Sequence, residues 1–290
     1  MITLGVDVGG TRSKWAVAVD GKLEQTGEAE PLKKHLFLEA ETHSFESLCR
    51  EIKILVPELD RVSMGITGVL RNTEQQETAI RVISKVWELS LTGISVMSDI
   101  ELSYASQFQD SDGILISAGT GSIAAFRDKS GDISFIGGKG YMIGDEGSGY
   151  WIGAEGIRRS IRFFEENDHD EALGSALKQF YGILNWREVL PIAYSAQGRS
   201  QIARAAQTVS NAAESGSKLA IEIIEIAVGD LARLYGLARR VSDADELRVI
   251  GGVLSKNSQI RTRLEQITKR TIPSLVTQPE VFAALNGEEI

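Results

Sequence analysis

Asp7 is the first residue whose type and position suggest chemistry. It lies near the end of the apolar run 2–8, and small, polar or basic residues follow it: Gly9, Gly10, Thr11 and Lys14. Glycine lets backbone N–H groups approach a large anion, and a hydroxyl and an ammonium group can add contacts. Because a carboxylate repels phosphate, its place beside such a turn makes sense if a hydrated Mg²⁺ lies between them. The alternative is an edge hairpin with a tight turn.

Asp99 is the second candidate, because it stands where a strand passes into a helix. The apolar run 94–97 predicts a strand, and a helical pattern follows Ser98 and Asp99 as far as about residue 108. In open α/β sheets, ligands bind beyond the carboxyl ends of the strands, which is where this carboxylate would lie. The alternative is that Asp99 is simply the N-cap of the helix.

A second strand–glycine–strand pattern occurs further along the chain. The stretch 113–122 begins as an apolar strand, residues 123–126 form the returning arm, and the turn between them holds Gly119, Thr120, Gly121 and Ser122. A matched pair of glycine hairpins suggests an internal duplication. A nucleoside triphosphate held between the two turns would explain both.

Two more glycine-rich segments are candidates for ligand binding. The stretch 135–153 contains Asp145 and Glu146 among its glycines, and its bulky apolar residues show that it is not a flexible linker. We favour close backbone approach to a ligand over a tightly packed structural loop. Gly251 and Gly252 follow a predicted strand, where a glycine turn suits the flat face of an adenine or ribose, or equally close helix–strand packing.

The periodicity of apolar residues predicts an α/β chain whose second half is mostly helical. Beyond the strands already named, we expect strands at 15–19, 61–67, 246–250 and 274–277, with a third strand and a loop within 27–43. Helices are expected at 44–56, 73–89, 151–167, 170–181, 186–195, 201–214, 217–241, 257–269 and 279–286.

Composition narrows the classes of function. The chain has 290 residues, enough for two domains, and its net charge of −9 argues against a nucleic-acid or anionic-membrane partner. The single cysteine, Cys49, excludes an internal disulfide and an all-cysteine metal or iron–sulfur site within one chain. The three histidines do not have metal-ligand spacing. The first residues form neither a signal peptide nor a spanning helix, so we expect a cytoplasmic protein.

Taken together, the motifs resemble the N-acetylglucosamine kinase/BadF-type ATPase family of the actin, hexokinase and heat-shock chaperone superfamily. The resemblance covers nearly the whole chain. It rests on Asp7-x-Gly-Gly-Thr-x-x-Lys14, Ser98-Asp99, Ala118-Gly-Thr-Gly-Ser122, Gly137-Gly-x-Gly140, Gly144-Asp-Glu-Gly-Ser148 and Gly251-Gly252, in one order and spacing.

The resemblance implies two ribonuclease-H-like domains with an ATP cleft between them. The first would comprise residues 1–108, joined by the C-terminal helix 279–290, and the second, helix-rich domain residues 109–278. It implies an ATP- and Mg²⁺-dependent kinase of an amino sugar or hexose, most simply N-acetylglucosamine or glucosamine. A homodimer is expected from the family alone.

The resemblance also assigns roles residue by residue. Asp99 would be the catalytic base that takes a proton from the sugar hydroxyl, and Asp7 would hold Mg²⁺ through water. ATP would contact Gly9, Gly10, Thr11, Lys14, Gly119, Thr120, Gly121, Ser122, Gly251 and Gly252. The substrate would contact Thr67, Gly68, Asp99, Gly138, Lys139 and Asp145.

Two departures bear on the acceptor. Family members that use N-acetylglucosamine have an aromatic residue where this chain has Lys139, which can meet an anionic group. The early substrate loop usually offers an asparagine, whereas residues 31–41 contain none. The competing functions are an ATPase that drives a partner protein, as activators of acyl-CoA reductases and dehydratases do, and a non-catalytic sensor. The single cysteine argues against the first and the two aspartates against the second.

Overall fold

The computed structural model of the protein describes residues 1–9, 12–32, 42–109, 111–273 and 278–287. The chain divides into two units, Met1–Asp110 with Leu275–Ile290, and Ser111–Ser274. Each unit holds one β-sheet with helices, so the predicted α/β class is confirmed. The predicted strand 274–277 lies outside the described residues. Within the described ranges, no helix has the length and apolar character needed to cross a bilayer.

Among the described residues, nine strands form the two sheets. In chain order they are β1 (Ile2–Val8), β2 (Ser13–Val19), β3 (Lys22–Ala29), β4 (Arg61–Ile66), β5 (Ile94–Met97), β6 (Ile114–Ala118), β7 (Ser122–Arg127), β8 (Ile133–Gly137) and β9 (Leu247–Ile250). The first sheet has the order β3-β2-β1-β4-β5 and the second the order β8-β7-β6-β9. In each sheet, three consecutive strands form an antiparallel meander. A later strand, β4 or β9, pairs in parallel with the first strand of that meander. The shared order agrees with the predicted duplication.

Eleven α-helices accompany these strands in the described part of the chain. They are α1 (Thr42–Leu55), α2 (Glu74–Trp87), α3 (Asp99–Phe108), α4 (Gly149–Asn167), α5 (Ala172–Tyr181), α6 (Val189–Ala193), α7 (Gly198–Glu214), α8 (Lys218–Val241), α9 (Gly252–Ser255), α10 (Ser258–Thr268) and α11 (Pro279–Asn286). The first three and α11 belong to the first unit, and the others to the second.

Alternation along β1 decides which face of the first sheet carries chemistry. Leu4, Val6 and Val8 are fully buried in a core shared with α1 and α2. Gly5 and Asp7 therefore point to the opposite face, since successive strand residues alternate. There α11 packs so closely that a Cβ on Gly5 would lie 2.1 Å from the carbonyl oxygen of Glu280. Glycine at position 5 is what admits this helix.

The structure corrects two predicted elements and adds one that was not predicted. The third strand runs over Lys22–Ala29 and so begins before the predicted stretch 27–43, directly after a two-residue Asp-Gly turn that favours hairpins. Strand β8 was not predicted, because it is only partly buried and lacks a continuous apolar pattern. The predicted helix 186–195 is a 3₁₀ turn, Trp186–Glu188, followed by the short α6, because Pro191 cannot donate the backbone hydrogen bond of a longer helix.

Candidate active site

Asp7 lies on β1 with Lys14 directly opposite on β2 and Gly65 beside it on β4. Residues paired in this way point to the same face of a sheet, so the carboxylate and the ammonium group share the face that α11 covers. A Cβ on Gly65 would lie 2.8 Å from Leu102 and 3.2 Å from the Cα of Asp99. The missing side chain therefore lets α3 and its first residue approach the strand that bears Asp7.

The environment of Asp7 disfavours its charge. Desolvation by the surrounding protein, together with the charges of Asp99 and Glu280, raises the pKa of Asp7 to about 7, and Lys14 partly opposes this rise. In the described part of the chain, two carboxylates and one ammonium group are thus the charges that act on Asp7. Such a place is suited to an additional positive charge.

The donor set fits Mg²⁺ held through water. In the part of the chain that is described, no three His, Cys, Asp or Glu side chains are arranged to hold a metal ion by themselves. Mg²⁺ commonly retains several waters and takes one or two carboxylates together with substrate phosphates. Asp7, which is incompletely neutralised by Lys14, suits that water-mediated role, and the assignment stays a prediction.

Asp99 is the first residue of α3, and it is not the N-cap. Ser98 takes that position: its Oγ accepts from the N–H of Glu101 at 3.2 Å, and the Glu101 carboxylate accepts from the Ser98 N–H at 2.9 Å. This capping box satisfies the helix start without Asp99. The Asp99 carboxylate instead accepts from the Ile100 N–H at 2.9 Å and from the Thr67 hydroxyl at 2.7 Å. The structure therefore excludes the explanation that Asp99 is the N-cap of α3.

Glu280 is a residue that sequence analysis missed. It is 4% exposed in the first turn of α11, and its Oε2 has no hydrogen-bond partner among the described residues. Its charge nevertheless acts on Asp7. Its only local signal is that it follows Pro279 at a helix start, where acidic residues are common. Its place beside Asp7 comes from the packing of α11 on β1, at the other end of the sequence.

In the second unit, the turn after β6 meets the turn after β9. The Gly119 N–H donates to the Gly121 oxygen at 3.0 Å, and the Gly119 oxygen accepts from Gly149 at 2.8 Å, at the start of α4. Gly251 has a φ of 96°, and a Cβ there would lie 2.4 Å from the Ala118 oxygen. The two glycine turns predicted to contact ATP are therefore adjacent, and their close approach requires glycine at position 251.

Asp145 lies against the same turn. It is 5% exposed, its Oδ1 accepts from the Gly140 N–H at 3.1 Å, and a Cβ on Gly121 would lie 2.6 Å from its Oδ2. Burial raises the pKa of Asp145, while the Gly140 hydrogen bond and the Arg199 charge oppose that rise. The predicted substrate carboxylate and the predicted phosphate turn are thus neighbours, which their separation in the sequence did not show.

The remaining predicted residues have varied surroundings. The Ser122 hydroxyl donates to the Glu146 oxygen at 2.7 Å, and the Ser122 oxygen accepts from Gly138 at 2.9 Å, so both hold the loop together. Lys139 is exposed. The Gly9 N–H donates to the Arg12 oxygen at 3.2 Å within the first turn. Gly10 and Thr11 lie outside the described residues.

The predicted residues thus form two groups. The first unit brings together four of them: Asp7, Lys14, Thr67 and Asp99, with Gly68 next in sequence at a φ of 81°. Gly9 also lies in the first unit. In the second unit, Gly119 contacts Gly121 and Gly251, and Asp145 lies against Gly121. The same unit holds the other predicted residues Thr120, Ser122, Gly138, Lys139 and Gly252.

Comparison with known proteins identifies the family of this chain. The chain matches the BadF/BadG/BcrA/BcrD ATPase family over residues 4–286. It belongs to this family. The predicted resemblance is therefore confirmed, and it extends over almost the whole chain.

One curated relative matches part of the chain. The N-acetylmuramic acid/N-acetylglucosamine kinase of Clostridium acetobutylicum is 28% identical over 177 residues, which are 60% of this chain and 56% of that protein. The chain thus spans about half the length of this curated relative.

Two solved structures are similar throughout. Proposed N-acetylglucosamine kinases from Porphyromonas gingivalis and Chromobacterium violaceum have TM-scores of 0.76 and 0.73 and identities of 19% and 21%. The similarity covers 100% of this chain and 99% of the first structure, and 98% of this chain and 97% of the second. At these identities the likeness establishes the fold, which is the one predicted.

Proposed function

We propose that this BadF-family protein is an ATP-dependent sugar kinase that phosphorylates a hydroxyl of an amino sugar or hexose, with N-acetylglucosamine or glucosamine as the favoured acceptor. Asp99 is the general base in this proposal. The main support for this role is that Ser98, and not Asp99, caps α3. The Asp99 carboxylate lies at the start of the helix and accepts a hydrogen bond from Thr67. The names of the relatives support the same class of reaction.

The residues of the first unit suit the chemistry of phosphoryl transfer. As the acceptor oxygen forms its bond to the γ-phosphorus, Asp99 takes the hydroxyl proton, and the bond from that phosphorus to ADP breaks. Transfer of this kind needs positioning and charge neutralisation more than covalent help. Lys14 contributes positive charge beside Asp7, and Mg²⁺, when bound through Asp7, would neutralise phosphate charge.

We also assign ligand contacts to the second unit. In this proposal its glycine turns, which include Gly119, Gly121 and Gly251, face phosphate and adenosine. Asp145 binds sugar hydroxyls from its place beside Gly121. Because Asp145 is held by the Gly140 N–H, its carboxylate is oriented before any ligand arrives.

One observation weighs against the ATPase that drives a partner protein. Activators of that kind hold an iron–sulfur cluster with cysteines, and the only cysteine of this chain, Cys49, is fully buried in α1. Burial also raises the pKa of its thiol, which disfavours the thiolate that a metal needs. The sugar kinase is therefore the better-supported function.

The test is ADP release with Mg·ATP against a panel of acceptors. The panel holds N-acetylglucosamine, glucosamine, glucose, N-acetylmannosamine and N-acetylmuramic acid, with a sugar-free control. We expect turnover that depends on a sugar and falls by about 10²–10⁴-fold in Asp99→Asn. Glu77→Gln, which removes a first-turn carboxylate from α2, is the matched control and should keep wild-type turnover. ATP hydrolysis that ignores every sugar and Asp99→Asn would overturn the proposal in favour of a partner-driving ATPase.

A further inference from the structure

Thr67 connects the proposed base to the strand that carries Asp7. It directly follows β4, and its backbone N–H donates to the Val8 oxygen at 3.0 Å. Its hydroxyl oxygen lies 2.7 Å from Asp99 Oδ2 and 2.9 Å from the same Val8 oxygen. A single side chain thus touches both the end of β1 and the carboxylate at the start of α3.

The hydroxyl has one hydrogen and two acceptors within reach. The Val8 oxygen already accepts from the Thr67 N–H, whereas ionised Asp99 is the stronger, charged acceptor. The hydrogen therefore goes to Asp99 while that group is ionised. A hydrogen bond to a carboxylate favours its ionised form, and the ionised form is the one that a base needs.

The same contact fixes the direction of the carboxylate. Asp99 Oδ1 accepts from the Ile100 N–H at 2.9 Å, and Oδ2 accepts from Thr67. Because the two oxygens are held by two separate donors, the plane of the carboxylate is defined by protein atoms. The charge of Asp99 is one cause of the raised pKa of Asp7.

We propose that Thr67 is a positioning residue that keeps Asp99 oriented and ionised for proton removal. This differs from the expectation that Thr67 contacts the substrate itself, and it rests on the proposed function. The strand connection does not need the hydroxyl, because the Thr67 N–H already bonds Val8. Thr67→Val, which keeps the shape and removes the hydroxyl, therefore isolates the contact with Asp99.

The experiment compares Thr67→Val and Thr67→Ser, each in the wild-type and the Asp99→Asn background, by single-turnover phosphoryl transfer and by steady-state kinetics. Thr67→Val should lower kcat about 10–100-fold, as expected for a hydrogen bond to a charged group. The KM for ATP should stay within about twofold of wild type, because the substitution removes no proposed contact with ATP. Thr67→Ser, which keeps the hydroxyl, should recover kcat to within about threefold. In the Asp99→Asn background, Thr67→Val should cause no further loss.

Thr73→Val is the matched control. Thr73 lies in the same unit, and its hydroxyl is also hydrogen-bonded, to the Leu70 oxygen at 2.7 Å and to the Gln76 N–H at 3.3 Å. Its loss should lower thermal stability through the helix cap and leave kcat unchanged.

Three outcomes would overturn the inference: wild-type kcat in Thr67→Val, equal losses in Thr67→Val and Thr67→Ser, or the same fold loss in the Asp99→Asn background. The last would show a structural effect that does not act through Asp99. Sugar-dependent turnover that collapses in Asp99→Asn but not in Thr67→Val would overturn this inference alone. A wild-type protein without sugar-dependent turnover would overturn the proposed function and, with it, this role of Thr67.

Discussion

Replacing Asp7 by asparagine should stabilise the metal-free protein, and the gain should grow with pH. Folding raises the pKa of Asp7 from 3.8 to about 7, mainly by desolvation, with contributions from Asp99 and Glu280. The folded state therefore keeps the Asp7 proton up to about pH 7, whereas the unfolded state releases it near pH 4. Stability falls as pH rises through this window and levels off above it.

The magnitude follows from the raised pKa. With both states fully ionised, the cost of burying the charge is about 4 kcal/mol. Between pH 5.5 and pH 8.5, the destabilisation caused by Asp7 increases by about 2 kcal/mol. Since asparagine carries no charge at any of these pH values, the difference in unfolding free energy between Asp7→Asn and wild type should widen by that amount.

The assay is urea unfolding followed by far-UV circular dichroism in buffer with EDTA, at several pH values across the window. Glu58→Gln is the control, because Glu58 is an exposed carboxylate of the same unit and should show a pH profile parallel to that of wild type. Parallel profiles for Asp7→Asn and wild type would refute the reasoning, since they would mean that folding does not change the proton affinity of Asp7.

Other predictions concern packing, reactivity and specificity. Gly5→Ala should cost about 3 kcal/mol in urea unfolding, because its Cβ would meet the backbone of Glu280, whereas Gly229→Ala on α8, where a Cβ meets nothing, should be neutral or slightly stabilising. Cys49 should resist a thiol reagent in the native protein and react fully in denaturant, because it is buried and the pKa of its thiol is raised; rapid native labelling would contradict its placement. Lys139→Gln should lower kcat/KM for N-acetylmuramic acid about tenfold more than for N-acetylglucosamine if Lys139 meets the acceptor's carboxylate; equal effects would exclude that contact.

The sequence alone was sufficient for the features that depend on neighbours in the chain. The first hairpin follows from an apolar run, a glycine pair and a second apolar run, and β1 pairs with β2 as expected. Asp99 was placed correctly between β5 and α3 because a strand pattern changes there to a helical one. Local steric and hydrogen-bonding preferences act over a few residues, so they can be read from spacing.

Strand β8 shows where local patterns fail. Its residues are all partly buried, so no alternation of apolar and polar side chains marks it, and its pairing with β7 is what makes it a strand. Similarly, the sequence could not decide whether Asp99 is the N-cap of α3. The capping box between Ser98 and Glu101 decided it, and Asp99 is the first helical residue instead of the cap.

Only the tertiary structure decided which distant residues act together. The charge of Glu280 acts on Asp7 because α11 packs on β1 over Gly5, and Asp145 lies beside Gly121 although different segments carry them. The sequence determined the kinds of side chain available and the turns that present them. Their mutual distances, and therefore the raised pKa of Asp7, depend on long-range packing and desolvation, which arise only when the chain has folded.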